Sequence, residues 1–150
     1  MVMRINKLSL LSVLSLIFSN YCFSQSLESS KDFYLNDGDV KESITISFSE
    51  GPGNNKDWIG VYQIGQVPGD VGATIWLYVD GTKSGDTGKS DGVIVFEDEL
   101  EVGSYKAYFL EDDGYNILGS TSFVVTADKN DLLPEGVYFQ EDFDGVELGA

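Results

Sequence analysis

Residues 43–49 read SITISFS, and this unbroken alternation limits the chain more than any other feature does. In an extended segment Ile44, Ile46 and Phe48 share one side, while the hydroxyl residues between them share the other. A period of two describes a strand with one buried and one wetted face. Short apolar runs of similar length recur at 32–35, 57–64, 73–80, 92–97, 104–111 and 116–126. Turn formers separate them, among them NDGD at 36–39, EGPGNNK at 50–56, GTKSGDTGKSD at 81–91 and DDG at 112–114. Seventeen glycines against three prolines suit such a chain, and no helical period follows residue 24. Strands with turn signals at this spacing predict an all-β fold, a seven-stranded Ig-like or fibronectin-III-like β-sandwich over residues 31–127.

Leu100, Gly103 and Tyr105 form an L-x-x-G-x-Y element at the entry to the sixth run. A tyrosine at that corner of a sandwich folds back and bonds the backbone upstream. Tyr105, Ala107 and Phe109 then share an inward face. In the run at 57–64, Trp58, Gly60 and Tyr62 point one way and Ile59 and Val61 the other. Both faces are apolar, which marks a central strand, and the expectation is that Trp58 is an inward pillar of the core. Asp57 then ends the preceding loop and caps its backbone amides. The run at 73–80 leaves two arrangements open. If Ile75, Leu77 and Val79 are buried, Trp76 and Tyr78 form an exposed aromatic stripe suited to stacking on sugar rings. If the aromatics turn inward, the aliphatic residues lie against a neighbouring loop or domain. Tyr115, in the next DGY turn, joins Trp76 and Tyr78 as a candidate ligand contact.

The first 24 residues have the layout of a secretory signal peptide. Arg4 and Lys7 precede an apolar run from Leu8 to Phe18, and Cys22-Phe23-Ser24 supplies small residues for cleavage after Ser24. The run is too short and serine-rich for a membrane span. Cleavage would remove the only cysteine, leaving no thiol or disulfide chemistry in a secreted, extracellular product. The chain has no histidine, which excludes histidine catalysis and histidine metal ligation. Loss of Arg4 and Lys7 takes the formal charge from −16 to −18. Such a surface repels nucleic acid and anionic lipid and tolerates cations or neutral ligands.

An up-and-down strand order brings the loops at 50–56, 81–91 and 112–115 to one end. That end carries Glu50, Asp57, Asp80, Asp86, Asp91, Glu111, Asp112 and Asp113. Clustered carboxylates and glycine-rich carbonyls are raw material for a Ca²⁺ site, with Asp57, Asp112 and Asp113 as candidate ligands. No D-x-D-x-D-G spacing is present, and solvated turn acids are the other reading. No cofactor motif is found. The chain lacks a G-x-S-x-G elbow and a zinc motif, and the G-K-S in the 81–91 loop has no strand-loop-helix frame around it. The acids sit in turns rather than flanking a cleft, so an enzyme is not expected.

DWIGVY at 57–62, W-x-Y at Trp76 and Tyr78, L-x-x-G-x-Y-x-A-Y-F-L at 100–110, DGY at 113–115 and SFVV at 122–125 form one pattern. It resembles the Ig-like accessory domains of large secreted multidomain bacterial proteins. It is also similar to the SKICH-type sandwich, whose strands carry a D-W-[IV]-G element. The resemblance spans about 32–126 and implies a non-catalytic module that spaces, docks or recognises. Residues 128–136 are a linker by composition, polar and ending in Pro134-Glu135-Gly136. Residues 137–150 look like the first strand of a truncated following domain, the alternative being an extra edge strand on the sandwich, and EDFDGVELG is similar to the opening of laminin-G or concanavalin-like jelly rolls. The leading expectation is therefore a module that spaces or docks adjacent domains of the same chain. The alternatives are a carbohydrate-binding module for polysaccharide or cell-surface glycan, and the N-terminal part of an extracellular hydrolase.

Overall fold

A computed structural model describes residues 24–128 and 130. The expected signal peptide up to residue 23, nearly all of the expected linker and the strand expected at 137–150 lie outside the described residues. Eight strands are found among the described residues. They are β1 (Ser26–Ser29), β2 (Phe33–Leu35), β3 (Ile44–Ser49), β4 (Trp58–Gln63), β5 (Ile75–Tyr78), β6 (Gly92–Phe96), β7 (Gly103–Leu110) and β8 (Ile117–Thr126).

They form two sheets, ordered β1-β3-β6 and β2-β8-β7-β4-β5. Every pairing is antiparallel except β2 with β8. The chain thus enters along one sheet and crosses to the other within a few residues. The Ser30 N–H donates to Thr45 O at 2.9 Å on one side of the crossing, and the Val124 N–H to Asp32 O at 2.8 Å on the other. The expected count of seven strands is corrected to eight by β1. Its sequence, SLES, carries one apolar residue and no β-branched one, so nothing local marks it as a strand.

The alternation in β3 does what its period requires. Ile44, Ile46 and Phe48 are buried and meet Ile94 and Phe96 of β6 from the same sheet. The opposing sheet contributes Ile59 and Val61 of β4 with Ala107 and Phe109 of β7 to the same core. Phe48 and Phe109 touch across the sheets with centroids 5.3 Å apart. Full burial of each such side chain contributes about 1.5–3 kcal/mol, so this layer carries the stability of the fold.

Two further elements hold the layers in register. The Tyr105 O–H donates to Glu101 O at 2.8 Å, closing the corner that Leu100 and Gly103 prepare. Burial, with the nearby Glu101 second, raises the Tyr105 pKa. At the opposite end the three loops expected to meet do so. The Gly51 N–H donates to Ser90 O at 2.9 Å, and the Asp113 N–H to Lys56 O at 2.9 Å. Gly88 passes so close to Gly53 that a Cβ there would lie 2.0 Å from the Gly53 carbonyl oxygen.

Candidate functional site

Strand β4 places Ile59 and Val61 in the core, so its period of two sends Trp58, Gly60 and Tyr62 to the outer face. Trp58 is therefore half-buried on the outside of the five-stranded sheet and is not an inward pillar. The alternation said which residues share a side; the aliphatic pair, easier to pack between sheets, took the inner one. Strand β5 follows the same logic. Ile75 and Val79 are buried, Leu77 packs against the core, and Trp76 and Tyr78 face outward. Of the two arrangements left open, the structure holds the outward aromatic stripe.

Register then assembles a cleft. Trp58 pairs with Tyr78 and Gly60 with Trp76 across β4 and β5. Gly60 has no side chain to fill the space above it, and a Cβ there would lie 2.7 Å from Trp58 Cζ3 and 2.9 Å from Tyr62 Cε2. The two rings thus lean over the glycine and make the floor. The β7–β8 turn brings Tyr115 over the same spot. The resulting cleft encloses about 270 Å³ and is also lined by Gly72, Ala73 and Asp113.

Its walls meet at steep angles. Trp58 lies 78° from Trp76 and 76° from Tyr115, and Trp76 lies 86° from Tyr78. Centroid separations of 5.2–6.1 Å match edge-to-face packing. Trp58 donates its Nε1–H to Gly114 O at 3.1 Å, and the Tyr78 O–H donates to Asp113 Oδ1 at 2.5 Å. That bond, then burial, then the charge of Asp113 push the Tyr78 pKa up to about 12, so the phenol stays a donor. Two lysines close over the outer rings, Lys83 Nζ 4.1 Å from the Trp76 centroid and Lys56 Nζ 4.6 Å from that of Tyr78.

The turn carrying Tyr115 is fixed by Asp57. This residue has 0% exposure. Its Oδ2 accepts the Asn54 N–H at 2.9 Å, and its Oδ1 accepts the Asn54 Nδ2–H at 3.2 Å and the Asp112 N–H at 3.0 Å. The expected cap in the preceding loop is present, and it extends to a second loop. A β-bulge at Phe109/Leu110 starts the turn, and Asp112 and Asp113 take left-handed φ values of 46° and 56°. The clamp from Asp57 and Lys56 holds these two residues in a backbone region that aspartate tolerates better than most.

Two of the three metal candidates are thus otherwise engaged. Both oxygens of Asp57 accept N–H donors, and Asp113 accepts Tyr78. Among the described residues no group of three or more carboxylate, cysteine or histidine side chains stands together as a metal site would require. Asp80 is spent on its own loop. Burial alone would raise its pKa, but bonds from the Thr82 hydroxyl and from the Asp86, Thr87 and Thr82 amides hold it at about 2.

Tyr62 is the residue whose part in the site was missed. It is 0% exposed and lines the cleft, yet its hydroxyl has no hydrogen-bond partner among the described residues. Burial, then Tyr115 and Tyr108, raise its pKa. The signal available in the sequence was W-x-G-x-Y, a glycine between two aromatics on one strand face. Of the described residues lining the cleft, Asp113 alone carries a carboxylate, so the arrangement offers aromatic walls and hydrogen bonds but not a pair of carboxylates. No protein-family model matches this chain, and no curated protein matches it.

Proposed function

We propose that this chain is an exported, non-catalytic Ig-like module that recognises carbohydrate in the cleft of Trp58, Trp76, Tyr78 and Tyr115. One observation carries the reading: both tryptophans of the chain stand on the outer face of a sheet whose core is built without them. Aromatic rings kept half-exposed and braced by hydrogen bonds are suited to the apolar C–H faces of sugars. The formal charge of −16 supports a neutral ligand over nucleic acid or anionic lipid. The Ig-type assignment is supported by the split entry of β1 and β2 into opposite sheets, by the Tyr105 corner, and by the resemblance to accessory domains of secreted bacterial proteins.

A second role, seating an adjacent domain, is favoured by Val93 and Val95 of β6. They are 60% and 44% exposed and share the outer face of the smaller sheet.

The test is retention on insoluble polysaccharides and a glycan array, with wild type and Trp76→Ala side by side. Wild type is retained on at least one neutral glycan, and Trp76→Ala binds it at least about tenfold more weakly, as loss of a central aromatic anchor does. If neither protein binds any glycan, the cleft has been misread and the spacer role remains.

A further inference from the structure

We infer that the cleft receives a single neutral sugar at the end of a glycan chain, with the Tyr62 hydroxyl as its buried polar contact. This rests on the carbohydrate reading above and goes further, because the geometry distinguishes a chain end from a chain interior.

A binding face that follows a polysaccharide along its length needs rings lying roughly in one plane, so that successive sugars stack in a row. Here the rings stand 76–86° apart. A sugar lying flat on one wall meets the next wall with its edge, and the walls converge on one ring rather than extending to a second. The size agrees. About 270 Å³ falls just below the range of sites that hold drug-sized ligands, which start at roughly 300 Å³.

The flanks are also built up. On one side the Tyr78–Asp113 hydrogen bond ties β5 to the β7–β8 turn. On the other, Tyr115 reaches the β4–β5 loop, where a Cβ on Gly69 would lie 3.4 Å from its ring. Gly72 and Ala73 of that loop line the cleft as well. A sugar inside a chain must leave at two positions, whereas a terminal sugar leaves at one, toward solvent.

The floor supplies the second, independent observation. A buried hydroxyl without a partner is disfavoured in a folded protein, and it calls for a group that completes it. A terminal pyranose carries hydroxyls at positions that an internal sugar gives up to its linkages. The Tyr62 hydroxyl is shut off from the cleft in the free structure, so the rings above it must shift for one of these sugar hydroxyls to pair with it and replace the missing bond.

The experiment titrates the full exported chain by calorimetry and tryptophan fluorescence. The ligands are methyl glycosides of glucose, galactose, mannose, xylose and N-acetylglucosamine, and linear oligomers of each up to the hexamer. For the sugar that binds, the dissociation constant per molecule stays within about twofold from the shortest ligand to the hexamer, because each chain has one end to offer. Tyr62→Phe weakens binding about three- to tenfold, the size of one hydrogen bond, with the thermal midpoint unchanged or raised. If affinity instead climbs steadily with length while Trp76→Ala still abolishes it, the glycan reading stands and chain-end recognition is overturned. If Tyr62→Phe binds like wild type, the buried contact is overturned. Silence across the whole panel overturns both readings together.

Discussion

Phe48, Phe96, Phe109 and Phe123 lie between the sheets, whereas Trp58, Trp76, Tyr78 and Tyr115 lie on the outside of the larger one. The inner set is held by volume: its rings have no polar atoms, and they interlock with isoleucine and valine from both sheets. The outer set is held by hydrogen bonds at its edges, Trp58 to Gly114 and Tyr78 to Asp113, and it stays partly open to water, with Tyr115 57% exposed. The core is complete without the outer set. That difference separates what the chain needs to fold from what the proposed site would use for recognition, and substitutions on each side test the separation.

Phe109→Ala is the most damaging. The ring is fully buried against Phe48 and beneath the backbone of Gly51, so the cavity left cannot collapse easily. Loss of about 3–5 kcal/mol is expected, read as a fall in the urea midpoint. If Trp76→Ala cost as much, the outer set would be part of the core after all and the division would fail.

Asp57→Ala comes next and crosses the division. It frees the Asn54 and Asp112 amides, part-buried donors that lose a carboxyl acceptor, at a cost of about 2 kcal/mol. It also releases the turn holding Asp113 and Tyr115, so the proposed glycan binding weakens as well, as calorimetry of the still-folded fraction would measure. A variant that loses stability but binds like wild type would show that the outer rings do not depend on this clamp.

These two residues also mark how far the sequence could be read. The inward position of Phe109 follows from Tyr105, Ala107 and Phe109 sharing a period of two, and the L-x-x-G-x-Y element named the corner that Tyr105 closes. Asp57 was legible as a local cap because a carboxylate beside a glycine-rich loop has amides in reach. Its second grip, on Asp112, spans 55 residues, and no local pattern reports it. Trp58 was misplaced for a related reason. Alternation assigns residues to sides, but a strand apolar on both sides leaves the choice of inner side to packing against the other sheet. Tyr62 shares a face with Trp58 through W-x-G-x-Y, but its unsatisfied hydroxyl is a fact about surroundings, not about composition. Strand β1 was missed because it borrows its structure from β3, through four register pairs that its own residues do not announce.

The finest test deletes one oxygen on each side of the division. Tyr105 and Tyr62 are both buried, at 2% and 0% exposure. The Tyr105 hydroxyl bonds Glu101 O, whereas that of Tyr62 bonds nothing among the described residues. Tyr105→Phe therefore loses a made bond and leaves a carbonyl short of a donor, costing about 1 kcal/mol. Tyr62→Phe removes only a polar group that burial has already stripped of water, so stability holds or rises by up to about 1 kcal/mol. Parallel urea titrations of the two variants measure the difference in sign. A loss in both would mean that Tyr62 is a second structural tyrosine with a partner of its own. Opposite signs would mark its hydroxyl as one that folding disfavours and that a ligand is left to satisfy.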